Sequence, residues 1–213
     1  MLSQQLIEIR GVGYSTPTGR VLQEGLNATL ENRQLLLITG SNGSGKSTLL
    51  KAILGQVPIE RGTISLTVPE GQIEYLPQLE NTEIHLPLTL GDVLAISQKK
   101  RVSWESISDF GLLRKEHMST AWNTASGGER KRTLLTRALI RKPWFLIFDE
   151  PMNHLDKGSR AAMVKVLADF LSSPSREPRG IIMVCHQGLP DGERNLFDTV
   201  HLNLDGGENG AAD

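Results

Sequence analysis

The chain has 213 residues, with 23 Lys+Arg against 24 Asp+Glu and a formal net charge of −1, and a globule of this size buries about 70% of its unfolded surface in a single core. Its 38% hydrophobic and 22% charged residues exclude a disordered chain. No apolar run approaches the ~18 residues of a spanning helix, and Met1-Leu2-Ser3-Gln4-Gln5 lacks the basic and apolar regions of a signal peptide. The near-neutral charge argues against a broad nucleic-acid footprint, and the one cysteine, Cys185, excludes a disulfide framework or a Cys-rich zinc site, so a reducing, cytoplasmic setting fits best.

Leu6 to Arg10 alternates apolar and polar and predicts a strand; Leu26 to Leu30 predicts a second. The run Leu35-Leu36-Leu37-Ile38-Thr39 has the continuous apolarity of a strand covered on both faces. It leads into a glycine-rich turn at Gly40 and a helical pattern from Lys46 to Leu54. Short strands are expected at Thr63 to Val68, Gln72 to Leu76, Trp144 to Phe148 and Ile181 to Val184. Thr89 with Asp92 reads as a capping box opening a helix, and Ser103 with Trp104, Ile107 and Phe110 as the start of another. From Ser126 a helical pattern runs until Pro143 stops it, and Asp156 can cap a helix carrying Met163, Val166, Leu167, Phe170 and Leu171. The fold expected is α/β in a single domain over 1–213. Its core, 1–78 and 125–205, has a mixed, largely parallel sheet flanked by helices and an N-terminal antiparallel β part; 79–124 form a small helical insert and 206–213 a flexible tail.

Gly40-Ser41-Asn42-Gly43-Ser44-Gly45-Lys46-Ser47, followed by Thr48, matches the G-x-x-x-x-G-K-[ST] phosphate loop in the strand-to-helix context that motif requires. Glycines let successive N–H groups turn inward around phosphate oxygens and the helix N-terminus adds partial positive charge. Lys46 would neutralise the β/γ-phosphates and the Ser47 hydroxyl would coordinate Mg²⁺, which makes a nucleoside triphosphate with Mg²⁺ the expected ligand. Trp144-Phe145-Leu146-Ile147-Phe148-Asp149-Glu150 is an apolar strand ending in two carboxylates at the edge where α/β sheets place ligands. Asp149 would hold Mg²⁺, directly or through water, and Glu150, one residue further, would polarise an attacking water.

The third element, Ala125-Ser126-Gly127-Gly128-Glu129, opens a predicted helix and forms a second anion site. With the two motifs above, and in the same order, it resembles the ATP-binding cassette (ABC) ATPases, whose signature is usually Leu-Ser-Gly-Gly-Gln. The resemblance covers Leu6 to His201 and implies a head-to-tail dimer in which Ser126, Gly127 and Gly128 of one subunit close on the γ-phosphate held by Lys46 of the other. It departs from the usual signature at Ala125 and Glu129, which bears on turnover more than on ATP binding. The same resemblance makes Gln78 the glutamine that reaches Mg²⁺ and the catalytic water, His186 the switch histidine on the γ-phosphate, and Asp156 part of a loop crossing the dimer interface. Tyr14 sits where relatives stack an aromatic on adenine, and equally suits a half-buried strand position. Arg130, Lys131 and Arg132 with Arg137 and Arg141 read as the solvated, dipole-complementing face of a helix.

One cassette without coiled coil fits a separate transporter subunit, peripheral on the cytoplasmic face of a membrane through a permease partner, with Gln78 to about Ile96 as the docking surface and no direct nucleic-acid contact. Met152-Asn153-His154-Leu155-Asp156 looks more like the ribosome-associated branch of the family, whereas Leu86-Pro87-Leu88-Thr89-Leu90 resembles importers of metals or metal chelates. A soluble ATP-driven switch on ribosomes or another soluble partner therefore stays open as the alternative.

Overall fold

The structure, a computed structural model, describes residues 4–78, 86–96 and 102–205. The chain opens with two long strands, β1 (Gln5–Ser15) and β2 (Val21–Glu31), extending well beyond the alternating segments that announce them. Register shifts interrupt their antiparallel pairing, and Gly11 and Gly25 carry positive φ within the strands, the local kinks that β-bulges create. Next come β3 (Gln34–Thr39), α1 (Lys46–Ile53), β4 (Arg61–Leu66), β5 (Ile73–Leu76) and α2 (Leu90–Ala95). They are followed by α3 (Gly127–Ile140), β6 (Phe145–Asp149), α4 (Lys157–Ser172), β7 (Gly180–Val184), α5 (Asp191–Arg194) and β8 (Asp198–Asn203).

The expected N-terminal antiparallel part and largely parallel sheet both form, as two separate sheets. Strands β2-β1-β4 form an antiparallel sheet, and β5-β6-β7-β3-β8 form a second whose described pairs are all parallel. Alternate residues of the parallel strands feed two cores, as period-2 side chains must. Leu35, Leu37, Leu146, Phe148, Ile181 and Met183 pack with α3, α4 and the insert. Leu36, Ile38, Phe145, Ile147, Ile182 and Val184 pack with α1 and the antiparallel sheet. Burial on both faces explains why these strands read as continuous apolar runs. Gly180 shows how tight the packing is, because a Cβ there would stand 2.5 Å from Phe145 and 2.8 Å from Leu6.

The Thr89–Asp92 capping box forms as expected. The helix expected from Ser103 does not form. Trp104–Ser106 and Ser108–Phe110 are instead short 3₁₀ turns, ended by Gly111 at φ 63°. The spacing of Trp104, Ile107 and Phe110 is three residues, the repeat of a 3₁₀ helix. Of the expected insert, 79–85 and 97–101 lie outside the described residues, as does the tail 206–213. Among the described residues no helix is long and apolar enough to cross a membrane.

Candidate functional site

The carboxyl ends of the parallel strands finish level. Cys185 N–H bonds the Ile38 carbonyl at 2.9 Å, Glu150 N–H the Val184 carbonyl at 3.1 Å and Leu204 N–H the Thr39 carbonyl at 2.9 Å. The loops after β3, β5, β6 and β7 therefore open onto one edge, where they line a cleft of about 1020 Å³ that contains Lys46, Ser47, Thr48, Gln78, Glu150 and His186. This is the ligand edge of an open α/β sheet.

The phosphate loop lies at that edge, between β3 and α1. Gly43 (φ 82°) and Gly45 (φ 98°) take left-handed conformations that L side chains avoid, and a Cβ at Gly45 would meet the Tyr14 ring at 2.9 Å. Buried Lys46 folds its Nζ back to donate to the Gly40 and Ser41 carbonyls, both at 2.8 Å. Ser44 Oγ is buried without a hydrogen-bond partner, a polar group in reserve for a phosphate oxygen.

Two residues that local pattern gave no means of finding brace this loop. Gln23 Nε2, on β2, donates to the Ser44 carbonyl at 3.1 Å and to the Leu204 carbonyl at 2.7 Å. Asp205, just past β8, accepts from Ser41 N–H at 2.7 Å and Ser41 Oγ at 2.8 Å; these bonds, backbone first, and then the charges of Lys46 and His186 hold its carboxyl below the usual range. Only tertiary structure brings Ser41 and Asp205 together.

At the end of β6, Asp149 is 6% exposed and its Oδ1 has no hydrogen-bond partner. Burial pushes its carboxyl up, against the opposing pull of the Ser47 hydroxyl and the Lys46 and Lys51 ammonium charges. A buried, unsatisfied carboxylate oxygen beside a hydroxyl fits a hard divalent cation, and Ser47, Asp149 and Gln78 offer only oxygen ligands to it. No cluster of three or more His, Cys, Asp or Glu exists among the described residues.

Glu150 follows with φ 51°, an uncommon conformation for a side-chain-bearing residue and one that concentrates at functional sites. Its Oε2 accepts from Asn153 Nδ2 at 2.6 Å and Gln78 Nε2 at 3.3 Å. His186 is exposed and lines the same cleft, and next to it Cys185 is 7% exposed, with burial the main cause that pushes its thiol up to about 12. That agrees with the expectation of a small buried strand residue.

Tyr14 is a correction. It is 1% exposed, packs in the core beneath the phosphate loop and donates its hydroxyl to the Gly45 carbonyl at 3.1 Å. Its ring supports the loop and offers no face to a base; the residues that line this wall of the cleft are Thr16 and Leu22.

Ser126 caps α3 and forms a reciprocal box with Glu129. Ser126 Oγ and N–H donate to Glu129 Oε2 at 2.7 and 2.8 Å, and Glu129 N–H donates to Ser126 Oγ at 3.2 Å. Gly127 is exposed, and a Cβ on Gly128 would meet Arg132 at 3.2 Å. None of Ser126, Gly127 and Gly128 lines the cleft that holds Lys46. Asp156 caps α4 through Ser159 N–H at 2.9 Å.

The basic residues after the signature correct a second expectation. Arg130 Nε bonds the Trp122 carbonyl at 2.9 Å, Lys131 Nζ the Asn153 carbonyl at 2.5 Å, and Arg132 bonds Ser159 Oγ. All three are half-buried ties at the positive end of the helix dipole, so neither solvation nor dipole complementarity accounts for them.

A family model described as "ABC transporter" matches residues 23–153. The chain belongs to the ABC transporter family of ATP-binding cassettes. Among its curated relatives, the zinc import ATP-binding protein ZnuC of Acinetobacter baylyi is 32% identical over 186 residues, covering 87% of this chain and 69% of the relative. ZnuC of Psychrobacter arcticus is 38% identical over 156 residues, covering 72% and 63%. The chain spans between 57% and 69% of the length of such relatives.

The fold is shared with an ABC transporter in an inward-facing conformation, described as of metal-chelate type (TM-score 0.76, 21% identity, 98% of this chain and 84% of that one). It is shared equally with an ATP-binding cassette in its ADP conformation (TM-score 0.72, 18% identity, 93% and 87%). The relatives place the chain among the ATP-binding subunits of the transporter branch, a family of ATPases, and lend no support to the ribosomal alternative.

Proposed function

We propose that this chain hydrolyses ATP to ADP and phosphate and couples that cycle to transport through a separate membrane permease, from the cytoplasmic face. The observation that carries the reading is the gathering of Lys46, Ser47, Gln78, Glu150 and His186 in one cleft at the carboxyl edge of the parallel sheet, with buried Asp149 bonded to the Ser47 hydroxyl.

Gly40 to Thr48 would wrap the triphosphate, with Lys46 exchanging its carbonyl partners for phosphate oxygens. Ser47, Asp149 and Gln78 would hold Mg²⁺, which when bound neutralises charge developing between the β- and γ-phosphates. Glu150 accepts a proton from the attacking water as its oxygen bonds to the γ-phosphorus and the bond to the ADP oxygen breaks. His186 donates to the γ-phosphate. The base would rest against Thr16 and Leu22.

Two ATP-bound subunits would close head to tail, with Ser126, Gly127 and Gly128 of each capping the phosphate held by Lys46 of the other and Asp156 at the interface. Support comes from the layering. Lys46 belongs to the helix on one face of the sheet and Ser126 to the helix on the other, so the signature serves a second copy more readily than its own cleft.

The names of the relatives, zinc import proteins and a metal-chelate transporter, support a metal ion or its chelate as cargo. The permease surface would include exposed Leu86 and Ile96 beside α2, the rest of the expected surface, 79–85, lying outside the described residues.

The test is a pull-down of tagged Glu150→Gln with ATP from detergent-solubilised membranes of the native host. Recovery of a polytopic membrane protein, lost when Leu86 and Ile96 are made charged, is the expected result. Recovery of soluble partners alone overturns the transport reading.

A further inference from the structure

The loop from Glu150 to Asp156 holds a set of contacts that the cycle above does not use. Asn153 Nδ2 donates to Glu150 Oε2 at 2.6 Å, and Gln78 Nε2 reaches the same oxygen at 3.3 Å. Both donors engage one oxygen, which orients Oε1 as the other lobe of the carboxylate. The backbone here is constrained, with Glu150 at φ 51° and His154 at φ 59°, conformations that persist only where surrounding contacts over-determine them. One such contact arrives from outside the loop, as Lys131 Nζ donates to the Asn153 carbonyl at 2.5 Å. Lys131 lies in the first turns of α3, five residues after Ser126, the cap of that helix. Its neighbours Arg130 and Arg132 fasten α3 to Trp122 and Ser159, so Lys131 is the one of the three that reaches the loop behind Glu150.

We propose that Asn153 is a positioning residue for Glu150 and that Lys131 sets Asn153, so that a subunit's own signature helix controls the placement of its own general base. This rests on reading Glu150 as that base. A shift of α3 on engaging a partner's nucleotide is then transmitted through Lys131 and the Asn153 carbonyl to the Asn153 amide and the carboxylate. The physical content is preorganisation, a carboxylate held in place to take the proton of the attacking water.

Four full-length variants test it by steady-state ATP hydrolysis, with nucleotide affinity measured separately on a fluorescent ATP analogue. Asn153→Leu keeps the branching of the side chain and removes the donor; it should lower kcat about tenfold while KM and nucleotide affinity stay within about twofold. Lys131→Met should give the same split, and the double variant should fall no lower than the worse single one, since both act along one chain of contacts. Asn153→Gln, which retains the amide, should recover most of the rate. Independently of turnover, Lys131→Met should speed amide exchange over residues 150–156.

Wild-type kcat in Asn153→Leu, with Glu150→Gln inactive, overturns the positioning role and leaves the base intact. Normal turnover in Glu150→Gln overturns the base and the proposal with it. Additive losses, or unchanged exchange in Lys131→Met, overturn the link to the signature helix. If Asn153→Leu does not fold, Asn153→Ala, which also lacks the donor and adds no charge, takes its place in the same comparison.

Discussion

Tyr14 separates a side chain's chemistry from its use. Its ring fills the space under Gly45 and its hydroxyl holds the Gly45 carbonyl, so substitutions there act on stability before they act on nucleotide affinity. Tyr14→Phe should cost about 1 kcal/mol for the lost hydrogen bond, and Tyr14→Ala about 3–5 kcal/mol for the cavity beneath the loop. Thermal melts without nucleotide check both. A base-stacking tyrosine would instead leave those melts unchanged and weaken nucleotide binding.

Asp149 makes the opposite trade. Its folded carboxyl is raised above the unfolded value by burial, so its contribution to stability is fully present below the unfolded pKa and is lost as pH rises through the raised one. At neutral pH the ionised, half-satisfied group is a cost. Asp149→Asn should therefore raise the melting temperature of the nucleotide-free protein and abolish the further stabilisation that Mg²⁺-ATP gives the wild type; a lower melting temperature would refute this. At this scale the chemistry was legible because Lys46, Ser47, Asp149 and Glu150 sit in motifs whose spacing is local. Burial of Tyr14 depends on a loop 31 residues away and the Asp205 brace on one 164 residues away, separations that carry no local signal.

Helix α3 shows how one element serves two ends. Glu129 in place of the usual glutamine closes the box with Ser126, and its carboxyl is held below the usual range by the Ser126 hydroxyl and N–H, then by the charges of His117 and Arg132. A lowered pKa contributes stability above the unfolded value, near 4.3, and that contribution is lost as pH falls through the folded one. Ser126→Ala should cost about 1 kcal/mol at neutral pH, and the gap from wild type should narrow in acid as Glu129 protonates, measured by urea unfolding across that range.

Elements whose residues pack locally were readable: the Thr89–Asp92 box, the Ser126 and Asp156 caps, and the strand into the phosphate loop. The antiparallel N-terminal part and the parallel core were readable too, but the strand orders β2-β1-β4 and β5-β6-β7-β3-β8 were not, since they are decided by which strand finds which partner. Strand β8 was missed for the same reason. Its polar Asp198, His201 and Asn203 resemble loop, and it becomes a strand because β3 offers a free edge from Gln34 to Thr39.

For the whole molecule, the parallel sheet acts as a partition. With α1 in one core and α3 in the other, the proposed closed assembly would take its signature helix from a second copy. Glu150→Gln should accumulate as an ATP-bound dimer in light scattering at saturating Mg²⁺-ATP, whereas Lys46→Ala should stay monomeric. A monomeric Glu150→Gln with nucleotide confirmed bound would exclude the homodimer and leave a heterodimer with a different cassette.

The buried thiol at the lip of the cleft has a practical corollary. Cys185 is the only cysteine in the chain, and a thiol pushed up to about 12 holds almost no thiolate at neutral pH. The native protein is therefore nearly silent towards maleimide dyes. A reporter attached through Gln187→Cys could follow the cleft opening and closing in real time, against a background that no sequence engineering has to remove.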